Sequence, residues 1–256
     1  METKLNYKRT FLIGLAFLSI CSFWQMYDNI IPLILQNTYH LGETMTGAVM
    51  ALDNVLAIFL LPVFGTLSDK VHTKLGRRMP FIVSGTILAV IFMMLLPMID
   101  NAEKARWGTV ESFSNQVIFL AVLFFTLVSM GLYRSPAVAL MPDVTPNHLR
   151  SRANAVINLM GAVGGVYALI MIKVLVGKGE TPDYLPLFAS IAAVMAIAVG
   201  ILVMTIRENK LREEVEKAEA AIAETIEEKA MAEGVEAVGE IEAVGDTGAV
   251  KASDGK

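Results

Sequence analysis

Long apolar runs separated by short polar breaks dominate the first two hundred residues. The runs lie near 10–35, 44–67, 80–99, 116–141, 152–176 and 185–206. Each matches the roughly 20 residues a helix needs to cross the hydrocarbon of a bilayer. A helix on the surface of a soluble protein would show one apolar stripe, whereas these are apolar nearly all round. Backbone polar groups in lipid must be satisfied within the segment, so each run is read as a helix. The pattern predicts an all-α membrane protein with a six-helix transmembrane domain over 10–206. A short terminus, 1–9, precedes it and a polar tail, 207–256, follows. The first run continues through Gln25, Asp28 and Asn29 without a small-residue cleavage pattern, so it is read as a span and not as a signal peptide. Pro80 falls in the first turn of the third helix, where proline is tolerated.

Composition agrees with the pattern. The chain has 256 residues, 55% of them hydrophobic and 18% charged, with a mean hydropathy of +0.57. That is more apolar surface than a soluble exterior accommodates. The net charge of −4 conceals an asymmetry: residues 1–206 carry +3 and residues 207–256 carry −7. Basic residues also assign a side. Lys4, Lys8, Arg9, Lys70, Lys74, Arg77, Arg78, Arg150, Arg152, Arg207, Lys210 and Arg212 fall on one side of the alternating helices. Lys104, Arg106, Lys178 and, near a helix end, Lys173 fall on the other. The positive-inside rule then places both termini in the cytoplasm. In the tail, Leu211, Val215, Ala218 and Ile222 recur at helical spacing and predict a juxtamembrane helix with a narrow apolar stripe. From about Gly234 the tail is expected to be disordered.

The polar residues inside the spans carry the candidate chemistry, because an ionisable group at bilayer depth is costly and functional by default. Asp28 and Asp53 each sit ~20–26 Å from the cytoplasmic end at 1.5 Å per residue. Gln25 shares a helical face with Asp28, with Trp24 beside them and Asn29 and Asn54 nearby. Carboxylate, amide and indole suit a sugar, offering hydrogen bonds to hydroxyls and a flat apolar face. A partly buried carboxylate also suits proton carriage. The bland alternative is a hydrated vestibule. Arg134, roughly 10 Å deep from the cytoplasmic side, is expected either to snorkel or to join Asp69 or Asp143 in an inner gate. Asn154, Asn158, Gly161 and Gly165 line one face of the fifth helix, which is read mainly as a close-packing surface. The lone Cys21 supports no disulfide. His40, His72 and His148 lack ligand spacing, and no metal site, cofactor, catalytic pair, nucleic-acid site or phosphate loop is expected.

The polar stretch 65–80, GTLSDKVHTKLGRRMP, adds a family resemblance. Gly65, Asp69, Lys70, Gly76, Arg77 and Arg78 match the loop between helices 2 and 3 of major facilitator transporters. The long interval from Asp69 to Gly76 and the ending Gly76-Arg77-Arg78-Met79-Pro80-Phe81 resemble the glycoside–pentoside–hexuronide:cation symporters and the related sucrose/proton symporters. Tyr133-Arg134-Ser135-Pro136, Ala139 to Asp143 and Arg150 to Ala155 are similar to the end of helix 4 and the following turn of the sucrose-type branch. The resemblance implies one six-helix half of a major facilitator fold, with both ends inside. It implies proton-coupled sugar symport by alternating access in a plasma or inner membrane. The implied partners are lipid, a sugar, a proton and either a second six-helix half or a second copy, the chain being an N-terminal half or fragment. Gly65, Asp69, Lys70, Gly76, Arg77, Arg78, Arg134, Asp143 and Arg150 are the implied gating residues. Ala57 and Leu61 stand before Pro62 where melibiose-type members carry paired acids, which favours proton over sodium coupling. Rival readings are a facilitator exporting drugs or other organic solutes, and a non-transporting membrane protein whose tail binds a partner.

Overall fold

The computed structural model describes residues 5–71, 73–105, 113–177, 179 and 182–232. Its helices are α1 (Tyr7–Asn37), α2 (Glu43–Lys70), α3 (Met79–Lys104), α4 (Phe113–Asp143), α5 (Arg150–Leu175), α6 (Leu185–Thr205) and α7 (Glu208–Ala232). A single 3₁₀ turn, Asn147–Leu149, leads into α5. Among the described residues there is no strand, only an isolated bridge between Thr73 and Gly76. Six of the helices are long and apolar enough to cross a membrane, which makes this an all-helical, multi-pass membrane protein. The chain divides into two compact units, Met1–Val215 and Glu216–Lys256. The first holds the six spans and the opening turns of α7. The second is helical as far as Ala232; the disorder expected from Gly234 falls outside the described residues, as do Lys4, His72, Arg106 and Lys178.

Helix ends reach past the apolar runs. α1 starts at Tyr7 because the Asn6 side chain accepts a hydrogen bond from the Arg9 N–H, supplying a partner to an otherwise orphan donor. α2 continues through Asp69 and Lys70, so the loop before α3 is short. α3 carries on to Lys104, so the polar segment expected as loop from residue 100 begins as helix. Asp100 and Lys104 permit this: they are one turn apart and form an ion pair at 2.5 Å, so neither charge faces hydrocarbon alone.

The first unit is built on two tight helix pairs, α1 with α5 and α3 with α4. α6 packs on α1 and α3, and α2 rests mainly on α4. The centre is filled by Phe23, Tyr27, Phe119, Tyr133 and Phe188. Small residues set the closest crossings. A Cβ at Gly164 would run into the backbone of Leu18, and one at Gly85 would lie 2.7 Å from the backbone nitrogen of Tyr133. Such contacts let membrane helices approach at backbone distance. The packing face expected of the fifth helix is therefore made by Gly161 and Gly164. Gly165 turns elsewhere, toward the Gln25 side chain. A buried polar pair adds specificity to the core: the Tyr133 hydroxyl is 2.6 Å from Ser19 Oγ and donates to the Ala16 carbonyl at 3.1 Å.

Candidate functional site

The face of α1 that carries Cys21, Trp24, Gln25 and Asp28 is half-buried to exposed, with Trp24 packed on the edge of the core; the opposite residues, Phe23, Met26, Tyr27 and Ile30, are buried in it. The three-and-four spacing of the first set produces this segregation, because residues so spaced lie above one another on a helix. Asp28 is exposed on this face, and its carboxylate lies within electrostatic reach of Asp53 on α2. The hydroxyl of Tyr27 is buried without a hydrogen-bond partner among the described residues, in reach of both carboxylates. Asn54 donates to Asp53 Oδ1 at 2.9 Å, so it orients that carboxylate. Asn29 donates to the Gln25 backbone carbonyl at 2.7 Å and so spends its amide on its own helix.

Arg134 sits beside this cluster. Its guanidinium sits over the Trp24 ring, 5.5 Å from the centroid, within the range of a cation–π contact. It also lies in electrostatic reach of Cys21. Among the described residues it makes no ion pair with Asp69 or Asp143. The geometric reason is length and lean: a long side chain on a helix points back toward the helix N-terminus, which for α4 is away from the cytoplasmic end. The depth of its Cα alone therefore understates where its charge acts. Below it, Val138 and Met141 border an open cleft with Phe17, Ile157, Asn154 and Arg150.

Where the inner gate was expected, the structure holds a four-member ion network. Arg78 pairs with Asp69 at 2.6 Å and with Asp143 at 2.9 Å. Arg77 pairs with the same two at 3.6 and 2.8 Å. Arg78 is 5% exposed and also donates to Ser68 Oγ at 2.5 Å and to the Gly65 carbonyl at 3.2 Å. One side chain thus ties the end of α2 to the start of α3 and the end of α4. Burial lowers the pKa of Arg77, but hydrogen bonding and charge from Asp143, then Asp69 and Glu208, outweigh it and hold the guanidinium more firmly protonated than usual. Gly65 lies against Ser135, whose hydroxyl donates to the Leu61 carbonyl at 2.8 Å. Lys70 closes the last turn of α2. Arg150 is not part of the network: it donates to the carbonyls of Thr145 and Pro142 at 3.2 and 2.9 Å, fastening the turn between α4 and α5.

Two parts of the inner and outer faces had no forecast from the sequence. The first is Glu208, 1% exposed. Its carboxylate accepts the backbone N–H groups of Arg77, Arg78 and Met79 at 3.0–3.1 Å. These are orphan donors at the N-terminus of α3, where a negative charge is favoured. Gly76 makes room for it. Its φ is +127°, a conformation that disfavours side chains, and a Cβ there would collide with the Glu208 carboxylate. Asn209 secures the same loop through the Thr73 carbonyl at 3.0 Å, and Glu214 pairs with Arg9 at 3.0 Å. The second is an outer cluster. Asp100, fully buried, accepts from Thr38 at 2.7 Å and pairs with Lys104. Lys104 also donates to the Pro182 carbonyl at 2.6 Å and lies 4.4 Å from the Tyr184 ring centroid. Asn101 donates to Asp183 at 2.7 Å. These contacts join the outer ends of α1, α3 and α6.

Among curated proteins, the chain is similar to a sucrose transport protein of Oryza sativa subsp. japonica, 26% identical over 137 residues, 50% of this chain and 27% of that protein. It is 34% identical to a sucrose transport protein of Arabidopsis thaliana over 116 residues, 43% of this chain and 22% of that protein. It is 24% identical to an uncharacterized symporter of Synechocystis sp. over 144 residues, 54% of this chain and 25% of that protein. The chain thus spans about a quarter of the length of each of these relatives. The profile of the Major Facilitator Superfamily matches residues 12–238, a stretch that contains most of the first span, the other five, the bilayer-depth cluster and the charged loop before α3. With that match over most of its length, the chain belongs to the Major Facilitator Superfamily.

Proposed function

We propose that this chain forms the N-terminal six-helix half of a proton-coupled sugar symporter in a plasma or inner membrane. The observation that carries the reading is the half-buried, polar face of α1. There Trp24, Gln25 and Asp28 converge with Asp53 from α2 and Arg134 from α4. An aromatic face with amide, carboxylate and guanidinium groups around it is chemistry suited to a polyhydroxylated ring. The similarity to sucrose transport proteins supports the same substrate class. Asp28 and Asp53 are the proton carriers: two carboxylates at bilayer depth, on neighbouring helices and in electrostatic reach of one another. The ions and sugar move by alternating access, the half rocking against a second six-helix half or a second copy. The network of Asp69, Asp143, Arg77 and Arg78 acts as the inner latch that closes one of the two states.

Uptake of labelled sucrose into membrane vesicles carrying the full-length protein tests this under an imposed proton gradient. Asp28→Asn and Asp53→Asn are each expected to abolish uphill accumulation, with downhill exchange retained in at least one of them. Uphill, gradient-dependent uptake in both variants would remove the carboxylates from the coupling step.

A further inference from the structure

Tyr27 lies between the aromatic platform and the carboxylates of the site, and the proposed function uses it for neither. It is 1% exposed. Its ring stacks on Phe23, with centroids 6.1 Å apart, and meets the Trp24 ring edge-on at 5.4 Å. Its hydroxyl is buried without a hydrogen-bond partner among the described residues. An unpaired buried hydroxyl is costly, and a partner that arrives in another state accounts for it. Asp53 is the matching acceptor. Asn54 occupies its Oδ1 at 2.9 Å, and Oδ2 has no donor among the described residues. A donor without an acceptor thus lies in electrostatic reach of an acceptor oxygen without a donor. The other ionisable groups of this region are Asp28 and Cys21 on α1 and Arg134 on α4, over Trp24. α6 carries no charged residue, and α5 carries them only at its ends.

We propose that Tyr27 is the positioning residue that makes sugar binding at Trp24 depend on the protonation of Asp53. When Asp53 is ionised, its free oxygen accepts a hydrogen bond from the Tyr27 hydroxyl. A charge-assisted bond of this kind outweighs an edge-on ring contact and draws the phenol away from Trp24. The platform loses its lateral support, and sugar binds weakly. A proton on Oδ2 removes the charge that held the hydroxyl. The ring then returns to its place between Phe23 and Trp24, and the platform is set for sugar. This structure, with the hydroxyl unpartnered, has the released conformation. By linkage, bound sugar favours protonation to the same degree, so sugar and proton load together. The inference rests on the proton-coupled sugar reading above and names the residue that joins its two halves.

Binding of labelled sucrose to the full-length protein in lipid nanodiscs, at an acidic and a mildly alkaline pH, tests it. The parent protein is expected to bind about tenfold more weakly at the alkaline pH. Tyr27→Phe keeps the ring and deletes only a hydroxyl that is unpaired in this structure, so the variant folds. Its affinities at the two pH values should agree within about twofold, both near the parent's acidic value. Asp53→Asn cannot ionise and should show the same flat response, unchanged when Tyr27→Phe is added. A merely structural Tyr27 would leave the parent's pH ratio in place. If Tyr27→Phe keeps that ratio, or binds weakly at both pH values, the inference is overturned while the symport reading stands. A parent protein that binds sucrose equally at both pH values overturns proton coupling and the inference together. One that binds no sucrose overturns the sugar reading as well.

Discussion

Replacing Glu208 with alanine takes an anion away from the N-terminus of α3 and leaves the N–H groups of Arg77, Arg78 and Met79 without their acceptor. Hydrogen bonds to a charged group contribute about 1.5–3 kcal/mol net, and the orphaned donors lose more where water cannot reach them. Water does reach the inner face, and the donors share one carboxylate, so the bonds do not add. We expect a local loss of about 2 kcal/mol at the start of α3. Hydrogen exchange reads that quantity directly, since about 1.4 kcal/mol is a factor of ten in an opening equilibrium. Peptides covering the first turn of α3 should exchange roughly 30-fold faster in Glu208→Ala than in the parent. Peptides from α6 should be unchanged. Glu208→Gln keeps an acceptor but not the charge, and should fall between the two. Exchange in the first turn of α3 that stayed within about twofold of the parent in Glu208→Ala would refute the capping argument.

Gly76→Ala should destabilise the first unit by about 1–3 kcal/mol in thermal unfolding, from its positive φ and from the collision with Glu208. Combined with Glu208→Ala the loss should be clearly less than the sum, because the second change removes the obstacle; strict additivity would disconnect the two residues. Tyr133→Phe deletes the hydroxyl that joins α4 to Ser19 and Ala16 on α1, and should cost about 1 kcal/mol in the same assay. Tyr39 gives an alkaline signature. Burial, then the charges of Asp100 and Glu103, raise its ionisation above the ordinary range. Its neutral form is favoured in the folded protein, so its contribution is intact below the unfolded value of about 10 and declines as pH rises beyond it. Tyr39→Phe should flatten that decline in melting temperature, and an unaltered slope would mean other groups cause it.

Hydropathy made the six spans readable because a bilayer imposes length and composition on each segment independently. The loop charges were equally accessible: Arg77 and Arg78 sit between two stretches that end in Asp69 and Asp143, and the fold needs only to bring those ends together. What escaped reading depends on side-chain reach or on distant packing. Arg134 was placed by the depth of its Cα, but its guanidinium acts at Trp24. Asp100 and Lys104 read as loop because hydropathy counts each charge as a break, whereas one turn apart they neutralise each other within the helix. Glu208 is one of many acidic residues in a tail, and nothing local distinguishes the carboxylate that caps α3. Gly161 and Gly165 share a four-residue spacing, but the crossing with α1 selects Gly161 and Gly164, a choice made by the angle at which the two helices meet.

The Asp100–Lys104 pair also bears on how the protein is made. Spans enter the bilayer in order of synthesis, and α3 emerges well before the Pro182 carbonyl that Lys104 finally contacts exists. A lone aspartate or lysine near a span's end would have to wait, poorly solvated, for its partner. Because the two stand at i and i+4 of one helix, α3 brings its own counter-charge through insertion. It needs α1 and α6 only afterwards, when Thr38 and the Pro182 carbonyl complete the set. The order of assembly is thereby relaxed: α3 can be released into lipid as an independent helix and docked later, without holding the translocation machinery until the sixth span arrives.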